Sequence, residues 1–504
     1  MKSQNPSSSN NLSMNPQLQA FQAAMALHQK GDLVEAKTLY ERILEKDPLY
    51  FDALHLMGVI HHQNGELAKA QTFFERAMDV RSDFAPLHSH YGLTLKKMNR
   101  LKEALDFFNR AISLDSNLSS AHNNRGNVLQ DLGEFEAALI SYQRAIAIDP
   151  SYFPAYVSSG AVLHGLRRFD EALAAYDKVL EANPHHPDAR YNKALALLLL
   201  GRFEEGLRFY EARKKLGAWT VKLFPENKLW NGDFSNKNKK LLIYGEQGLG
   251  DTLQFMRYAH LLAEMGFNVL FAPQKSLKAL AASLGSTMEI VDIDDASIQF
   301  DCHCPLLSLP LAFNTSLQTI PNATPYITSD KDHVAKWRAR IGDHGFKIGI
   351  CWQGGNSSID LGRSFALSHF QSISEISDVR LISLHKGEGE SQLKNLPDGM
   401  VVETLGSDFD SGPHAFIDTA AVMKCCDLVI TSDTAIAHLA GALGVKTWVA
   451  LKYVPDWRWF LDREDSPWYP TMRLFRQRSA GDWGGVFEAI KSRLLDDMKN
   501  SSVR

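Results

Sequence analysis

Small, aromatic and turn-forming residues recur every 34 positions between residues 17 and 220. Five alanines follow this period, and an aromatic residue stands four positions after each: Ala36, Ala70, Ala104, Ala138 and Ala172, with Tyr40, Phe74, Phe108, Tyr142 and Tyr176. Proline or serine closes the units at Pro48, Ser82, Ser116, Pro150 and Pro184. This period predicts one helical hairpin per unit, in which the small residue allows close packing and the aromatic ring fills the gap to the next unit.

In most units a glycine opens the pattern G-x-[LF]-x-x-A, and these residues resemble the tetratricopeptide repeat. The resemblance covers residues 17–220 and implies about six units stacked into an α-superhelix. The sixth unit departs from the pattern at Gly206 and Arg213, which indicates a cap joined to the next domain. The concave face is expected either to bind a protein partner or protein acceptor, or to be a solvated groove. Candidate residues on that face are His55, His62, Lys96, Asn123, Asn127, Gln130 and His164.

From Lys239 the 34-residue period gives way to alternating strands and helices. Apolar runs predict strands at 240–244, 268–272, 348–352, 379–385, 427–431 and 446–451. Helical periodicity at 251–265, 419–426 and 435–443 separates several of them. This order is typical of parallel sheets, so we expect two Rossmann-like lobes, residues 221–335 and 336–504.

Composition narrows the class of protein. A formal net charge of −4 over 504 residues gives no reason to expect nucleic-acid binding. Five cysteines in so long a chain favour a reducing, cytoplasmic location over a disulfide framework. Cys302-His303-Cys304 lacks the usual zinc spacing, so we expect no metal site. Residues 1–16 read as a disordered leader, and no apolar run is long enough to span a membrane.

The loop Gly245-Glu246-Gln247-Gly248-Leu249-Gly250-Asp251 follows the first predicted strand and opens a helix. Backbone N–H groups of such a loop can approach an anion. The spacing is not the dinucleotide fingerprint, and no acidic residue ends the next strand, which disfavours a nicotinamide enzyme. Gly248 and Gly250 are therefore candidate loop residues. Asp251 is a candidate general base, with simple capping of the helix as the alternative.

A second loop, residues 431–438, also lies between a strand and a helix. Asp433 or Ser432 is expected to cap the helix, and N–H groups near Thr434 and Ala435 could hold a diphosphate. His438 lies one helical turn beyond Thr434 and is a candidate site residue, with core packing as the alternative.

Two further segments could contribute to a binding site. Arg363 follows the run Trp352-Gln353-Gly354-Gly355-Asn356, and its side chain could either bind phosphate or lie on the surface. The aromatic residues of Asp456-Trp457-Arg458-Trp459 could either stack on a ligand or pack between the lobes.

The pairing of Gly250-Asp251 with Ser432-Asp433-Thr434-x-x-x-His438 resembles glycosyltransferase family 9, the heptosyltransferases. Wider runs at 246–252, 304–310, 433–441 and 456–459 are similar to a bacterial group that joins tetratricopeptide repeats to a family-9-like domain. The resemblance implies a GT-B fold of two Rossmann-like lobes. It also implies inverting, metal-independent transfer of a sugar from a nucleotide-diphosphate sugar, with no cofactor.

The resemblance also assigns roles to residues. Asp251 corresponds to the catalytic base, and Asp433, Thr434 and Ala435 to the motif that binds the donor diphosphate. Arg363 is the candidate for the basic residue on phosphate, and Glu388, or alternatively Glu390, for the residue that holds the donor ribose. Two departures are present: Ala435 replaces the motif glycine, and the family lysine appears as arginine or is missing.

Two other functions stay open. Protein O-GlcNAc transferases also join such repeats to a GT-B domain, but their arrays repeat asparagines along the concave face. Here only the unit that contains Asn124 and Asn127 fits that pattern. The other alternative is a non-catalytic scaffold in which the repeats bind a partner and the C-terminal region keeps only its fold.

Overall fold

The computed structural model describes residues 16–216, 224–285, 287–355 and 362–502. The chain forms two compact units, which divide between Pro184 and His185. The predicted leader lies outside the described residues except for Pro16, where the first helix begins. The predicted end of the array, residue 220, also lies outside them. The limits predicted for the domains stay predictions.

The described residues of the first unit form five helical hairpins. The helices are α1 (Pro16–Lys30), α2 (Leu33–Lys46), α3 (Phe51–Gln63), α4 (Leu67–Val80), α5 (Ala85–Lys97), α6 (Leu101–Leu114), α7 (Ser119–Asp131), α8 (Phe135–Ile148), α9 (Phe153–Gly165) and α10 (Phe169–Ala182). The alanines of the 34-residue period are fully buried in the second helix of each hairpin. The predicted repeat architecture is therefore confirmed in this unit.

The periodic aromatic residue packs on a glycine of its own hairpin. A Cβ atom added at Gly58 in α3 would lie 2.5 Å from the ring of Phe74 in α4, and one at Gly126 would lie 2.5 Å from Tyr142. The expectation that this ring mainly fills the gap between units is therefore incomplete. The ring also sets how closely the two helices of one hairpin approach, because any larger residue at the glycine would collide with it.

The turn between the two helices of each hairpin contains a residue with a left-handed backbone. Glycine occupies this turn at Gly31, Gly65 and Gly133, with φ between +76° and +88°. Asn99 and Arg167 adopt the same conformation, with φ of +59° and +61°. Glycine recurs in the sequence pattern because the turn between the two helices requires positive φ, which costs other residues energy.

The second unit begins with one more hairpin, α11 (Pro187–Leu199) and α12 (Phe203–Tyr210). Its first sheet contains β1 (Lys240–Tyr244), β2 (Asn268–Ala272), β3 (Glu289–Ile290) and β4 (Cys302–Pro305). Its second sheet contains β5 (Phe346–Cys351), β6 (Val379–Ser383), β7 (Leu428–Ser432), β8 (Thr447–Leu451) and β9 (Met472–Arg476). The remaining helices are α13 (Leu249–Glu264), α14 (Lys278–Ala281), α15 (Leu309–Ala312), α16 (Lys331–Ile341), α17 (Gln371–Ser374), α18 (Ile417–Met423), α19 (Ala435–Ala442) and α20 (Trp483–Ser502).

All the pairs between these strands are parallel, as predicted. The strand orders are β3-β2-β1-β4 and β6-β5-β7-β8-β9. Each sheet is therefore wound outward in both directions from its first strand. Ligands of such sheets bind at the carboxyl ends of the strands where the winding direction reverses. In the first sheet that place lies beside the loop after β1, and in the second beside the loops after β5 and β7.

The core of the second sheet fixes these loops. Ile348 and Ile350 of β5, with Ile430 of β7, are fully buried beneath apolar residues of α20 such as Ile490. Strands buried on both faces read as continuous apolar runs, which is why the sequence located them. The polar residues that follow each run are held at one edge of the sheet by this packing.

Candidate functional site

The glycine loop of the first sheet places Asp251 in the first turn of α13. The Asp251 Oδ2 accepts a hydrogen bond of 2.9 Å from the Gly248 N–H, so Asp251 caps this helix. The loop itself is anchored where the Gln274 amide donates to the Gln247 carbonyl at 2.8 Å. Burial raises the pKa of Asp251, and the Arg458 guanidinium opposes that rise. The side chain is 19% exposed.

The second loop, after β7, differs from its prediction in one respect. Thr434 is the N-cap residue of α19, and no side chain caps the helix there. The expectation that Asp433 or Ser432 caps it is therefore wrong. The backbone of Thr434 is extended, so the helix begins after it, at Ala435. Burial raises the pKa of Asp433 to about 6, with Asp456 adding to the rise and Arg363 and Arg458 opposing it.

The two loops meet at Gly250. A Cβ atom added there would lie 3.0 Å from His438 Cδ2 and 3.4 Å from the Ala435 Cα. The first turns of α13 and α19, which come from different sheets, therefore lie against each other. Asp251, Asp433, Thr434, Ala435 and His438, which the sequence singled out separately, belong to one region of the second unit.

His438 is held on two sides. Its ring stacks on Trp459 with centroids 5.3 Å apart and an interplanar angle of 18°. Its Nδ1 lies 3.0 Å from the Tyr469 hydroxyl. Burial and nearby arginines keep the pKa of His438 well below its ordinary value, so the ring is neutral at pH 7. A neutral, packed ring of this kind orders the interface between the loops.

Arg458 links both halves of this region. It is 6% exposed, and its Nη1 donates to Asp456 Oδ1 at 2.8 Å while its Nη2 donates to Asp251 Oδ1. The guanidinium also lies 4.7 Å from the centroid of the Trp457 ring. The sequence left Arg458 open because its partner Asp251 is 207 positions away. In the sequence, the clustering of charged and aromatic residues at 456–459 was the only indication that Arg458 belongs to a site.

Arg363 and Glu388 lie on neighbouring loops of the second sheet. A Cβ atom at Gly354, after β5, would lie 2.7 Å from an Arg363 Nη atom, so the guanidinium covers that glycine. Arg363 also opposes the rise in the pKa of Asp433, which places its charge near the second loop. Glu388 is exposed in the loop after β6, where its carbonyl accepts from His385 Nε2. Asn356 lies outside the described residues.

The hairpin α11–α12 and the segment after it support the glycine loop. Arg213, 1% exposed, donates to Glu246 Oε1 at 2.7 Å and to Ser308 Oγ at 2.8 Å. The Tyr210 ring lies 6.0 Å from the Trp457 ring, between centroids. Arg213, read from the sequence as a departure from the repeat pattern, is thus a buried partner of the glycine loop.

The described residues contain no group of three or more His, Cys, Asp or Glu side chains arranged to hold a metal ion. Cys302, His303 and Cys304 lie in β4, where His303 Nε2 pairs with the Pro225 carbonyl at 3.0 Å. No helix within the described ranges is both long and apolar enough to cross a bilayer.

Three of the candidates for the concave face contact the next repeat, and three others contact the second helix of their own hairpin. His55 Nε2 lies 2.8 Å from His90 Nδ1, His62 Nδ1 lies 2.9 Å from Thr94 Oγ1, and Lys96 pairs with Asp131 at 3.0 Å. Asn127 and Gln130 both accept from the Tyr142 hydroxyl. His164 packs edge-on against Phe169. His55 and Asn123 are 6% and 4% exposed, so these two side chains do not line an open surface.

Comparisons with known proteins identify the repeats. Residues 119–152 and 163–216 each match the family described as "Tetratricopeptide repeat", and residues 20–122 match "TT21 fifth ARM repeats domain". The chain therefore carries tetratricopeptide repeats, a fold that binds proteins, followed by a region with two parallel sheets.

Protein FlbA of Caulobacter vibrioides is 24% identical over 288 residues, which cover 53% of this chain and 48% of FlbA. The chain thus spans about half the length of this relative. Among solved structures, MamA is 26% identical, with 31% of this chain and 92% of MamA covered and a TM-score of 0.29. Pseudomonas aeruginosa pilF is 18% identical, with 40% and 91% covered and a TM-score of 0.37.

Proposed function

We propose that the second unit is a glycosyltransferase of GT-B architecture, which transfers a sugar from a nucleotide-diphosphate sugar to an acceptor hydroxyl. The repeats would bind a protein partner or present a protein acceptor. The contact of Gly250 with His438 and Ala435 carries the proposal, because it brings a candidate base from one sheet to a helix N-terminus of the other. Both loops also follow strands at the edge where parallel sheets bind ligands.

The residues present support a direct displacement. Asp251 would accept the proton of the acceptor hydroxyl while the hydroxyl oxygen bonds to the anomeric carbon. The bond from that carbon to the diphosphate oxygen breaks, and the nucleoside diphosphate leaves with the electron pair. Attack from the opposite face inverts the anomeric centre. N–H groups of the first turn of α19, with Arg363, would stabilise the charge on the leaving group, so the step needs no metal.

A non-catalytic scaffold is the second candidate, and one observation favours it. Both carboxylate oxygens of Asp251 already accept hydrogen bonds, from Gly248 N–H and from Arg458. A capping aspartate in a buried ion pair can have a purely structural role. The two candidates differ in whether the unit binds a nucleotide.

The test is a thermal-shift screen of the whole chain against nucleoside diphosphates and nucleotide sugars. The proposal predicts a rise in melting temperature with one nucleotide class, because a ligand stabilises the state that binds it. Asp433→Ala should lose the rise. The exposed Asp465, which pairs with Arg463, offers the matched control Asp465→Ala, which should keep it.

A response restricted to UDP-N-acetylglucosamine would favour the O-GlcNAc transferase alternative. The absence of any shift at millimolar nucleotide would favour the scaffold.

A further inference from the structure

The segment 456–460 packs on both α13 and α19. On one side the Trp459 ring stacks on His438 of α19. On the other, the Trp457 ring stacks on Phe255 of α13, with centroids 6.2 Å apart and an interplanar angle of 28°. Arg458, between these two tryptophans, is therefore fixed where the two candidate loops meet.

The hydrogen bonds of Arg458 are incomplete. Two of its nitrogens pair with Asp251 and Asp456, but its Nε is buried and has no hydrogen-bond partner among the described residues. A buried donor without an acceptor costs about 1–3 kcal/mol, and more when the group is charged. Such a donor is expected to have an acceptor in the functional complex.

Two other buried polar atoms, on residues next to Asp433 and Arg458 in the chain, also lack a hydrogen-bond partner among the residues that the structure describes. Within the described part of the chain, Ser432 Oγ, next to Asp433, and Trp457 Nε1, next to Arg458, are also buried without a hydrogen-bond partner. One lies at the end of β7 and the other on the segment over α13. At the meeting point of the loops itself, the first turn of α19 has no side-chain cap from any described residue, so its N–H groups and the Arg458 Nε are the donors available to an anion there.

We propose that Arg458 binds the donor diphosphate through its Nε edge while its Nη2 atom holds the Asp251 carboxylate. This inference rests on the proposed function, and it assigns to one side chain both a diphosphate contact and the positioning of the base. Arginine suits this role because its planar fork donates in several fixed directions at once, whereas lysine is a point charge. Occupation of the donor site would thereby be coupled to the orientation of Asp251.

The charges around Asp251 give this arrangement a measurable signature. Asp456 on the same segment and Glu246 on the glycine loop raise the pKa of Asp251, and Arg458 lowers it. Tyr210 of α12 and His438 of α19 also face this region. Without the Arg458 charge, the Asp251 carboxyl would hold its proton to higher pH. The acid limb of the pH–rate profile, where the transfer rate falls because the base is protonated, would then lie at higher pH.

The binding test is calorimetric titration of the full chain with UDP, GDP, ADP and CDP and with the matching monophosphates. Arg458→Met should weaken the diphosphate that the wild type binds by at least about tenfold, the range of one charge-assisted hydrogen bond. Arg458→Lys should weaken it less, and the preference for diphosphate over monophosphate should shrink in both. Arg463→Met, which removes an arginine paired with Asp465 in the same loop region, is the control and should bind as the wild type does.

Two further measurements keep the inference falsifiable. Since Arg458→Met leaves two carboxylates unpaired, its binding is compared with that of Arg458→Met combined with Asp251→Asn, which removes one of them. With the donor that the wild type uses, the rate of transfer by Arg458→Gln should begin to fall at a higher pH than the rate of the wild type.

Unchanged diphosphate affinity in the folded Arg458 variants, or an unmoved acid limb, would overturn the inference and leave the proposed function standing. A wild type that binds no diphosphate would overturn both.

Discussion

A Cβ atom at Gly250 would stand 3.0 Å from His438 Cδ2, closer than packed carbon atoms normally approach. His438 cannot easily move, because Trp459 stacks on its ring and Tyr469 pairs with its Nδ1. Gly250→Ala should therefore push the two loops apart. We expect a loss of about 1–3 kcal/mol in the free energy of unfolding and weaker nucleotide binding.

The control for Gly250 is Gly484 in α20, where an added Cβ would meet no atom within 4 Å. Gly484→Ala should leave binding unchanged and stabilise the helix by up to about 1 kcal/mol. Urea unfolding and calorimetry on both variants make the comparison. Equal effects of the two substitutions would show that the close approach of the loops at Gly250 affects neither stability nor nucleotide binding.

The Arg213–Glu246 pair should be essential to the second unit. Both side chains are 1% exposed, and Arg213 also pairs with Glu211 at 2.7 Å. Arg213→Met leaves the buried Glu246 carboxylate without a counterion, whereas Glu211 keeps its pair with Lys214. The substitution should cost about 3–5 kcal/mol in chemical denaturation. Arg213→Met combined with Glu246→Gln should recover part of that loss, because the amide can still accept from the Leu307 N–H. A double variant no more stable than Arg213→Met alone would show that the unpaired charge of Glu246 does not cause the loss of stability.

Asp433 should make the second unit less stable as pH rises. Its pKa is about 6 when folded against an ordinary value of 3.8, so folding favours the protonated form. The stability contributed by this group is complete below pH 3.8 and is lost as pH rises through 6. Asp433→Asn should therefore melt at a higher temperature than the wild type at pH 8, with a smaller difference at pH 4. The reverse order would contradict this account of its burial.

The first unit should lose stability in acid through a histidine pair. Burial lowers the pKa of His55 to about 3 and that of His90 to about 4, from an ordinary 6.5. The neutral pair therefore stabilises the fold above pH 6.5, and this contribution is lost as pH falls toward 4 and 3. Arg81 and His62 nearby add positive charge and strengthen the effect.

His55→Phe, which can still pack against Phe51 and Phe84, should make thermal unfolding followed by circular dichroism less sensitive to pH in that window. An unchanged slope of melting temperature against pH would exclude the pair as the cause.

Arg167 should be replaceable with a gain in stability. It occupies a left-handed turn at φ +61°, where the other hairpins mostly have glycine. Arg167→Gly should stabilise the first unit by up to about 1 kcal/mol, because glycine adopts this backbone without strain. Gly133→Ala, at the equivalent turn with φ +81°, should destabilise it by a similar amount. If the denaturant midpoints of the two variants moved in the same direction, the left-handed backbone at this turn would not explain the preference for glycine.

The regular parts of the fold were predictable because local patterns dictate them. The period of 34 residues located the hairpins, and the apolar runs gave β1 and β2 with the bounds that the structure has. β9 was missed because its sequence, Met-Arg-Leu-Phe-Arg, places arginines in a strand that the structure pairs with β8. β3 has only two residues and carries no detectable pattern.

The site was predictable only in pieces. The strand–loop–helix order located Asp251 and Asp433, because both loops follow buried strands. The close approach at Gly250, the Arg458 pair with Asp251 and the Arg213 pair with Glu246 all join residues distant in the chain. The first two contacts depend on how the two sheets pack, and the third on how the segment after α12 packs on the glycine loop. No local pattern encodes either arrangement. The cap of α19 was mispredicted for a related reason, since capping propensity favours aspartate while the backbone of the loop selects Thr434.

The most direct test of the central claim is sugar transfer by the whole chain compared with Asp251→Asn. The donor would be the radiolabelled nucleotide sugar selected by the binding screen, and bacterial extract would supply the acceptors. We expect the wild type to release nucleoside diphosphate and label an acceptor. Asp251→Asn should bind the donor with similar affinity but transfer at least about 100-fold more slowly, since it lacks the general base. Equal rates in the two proteins, or donor binding without any transfer by the wild type, would contradict the assignment of a glycosyltransferase with Asp251 as its base.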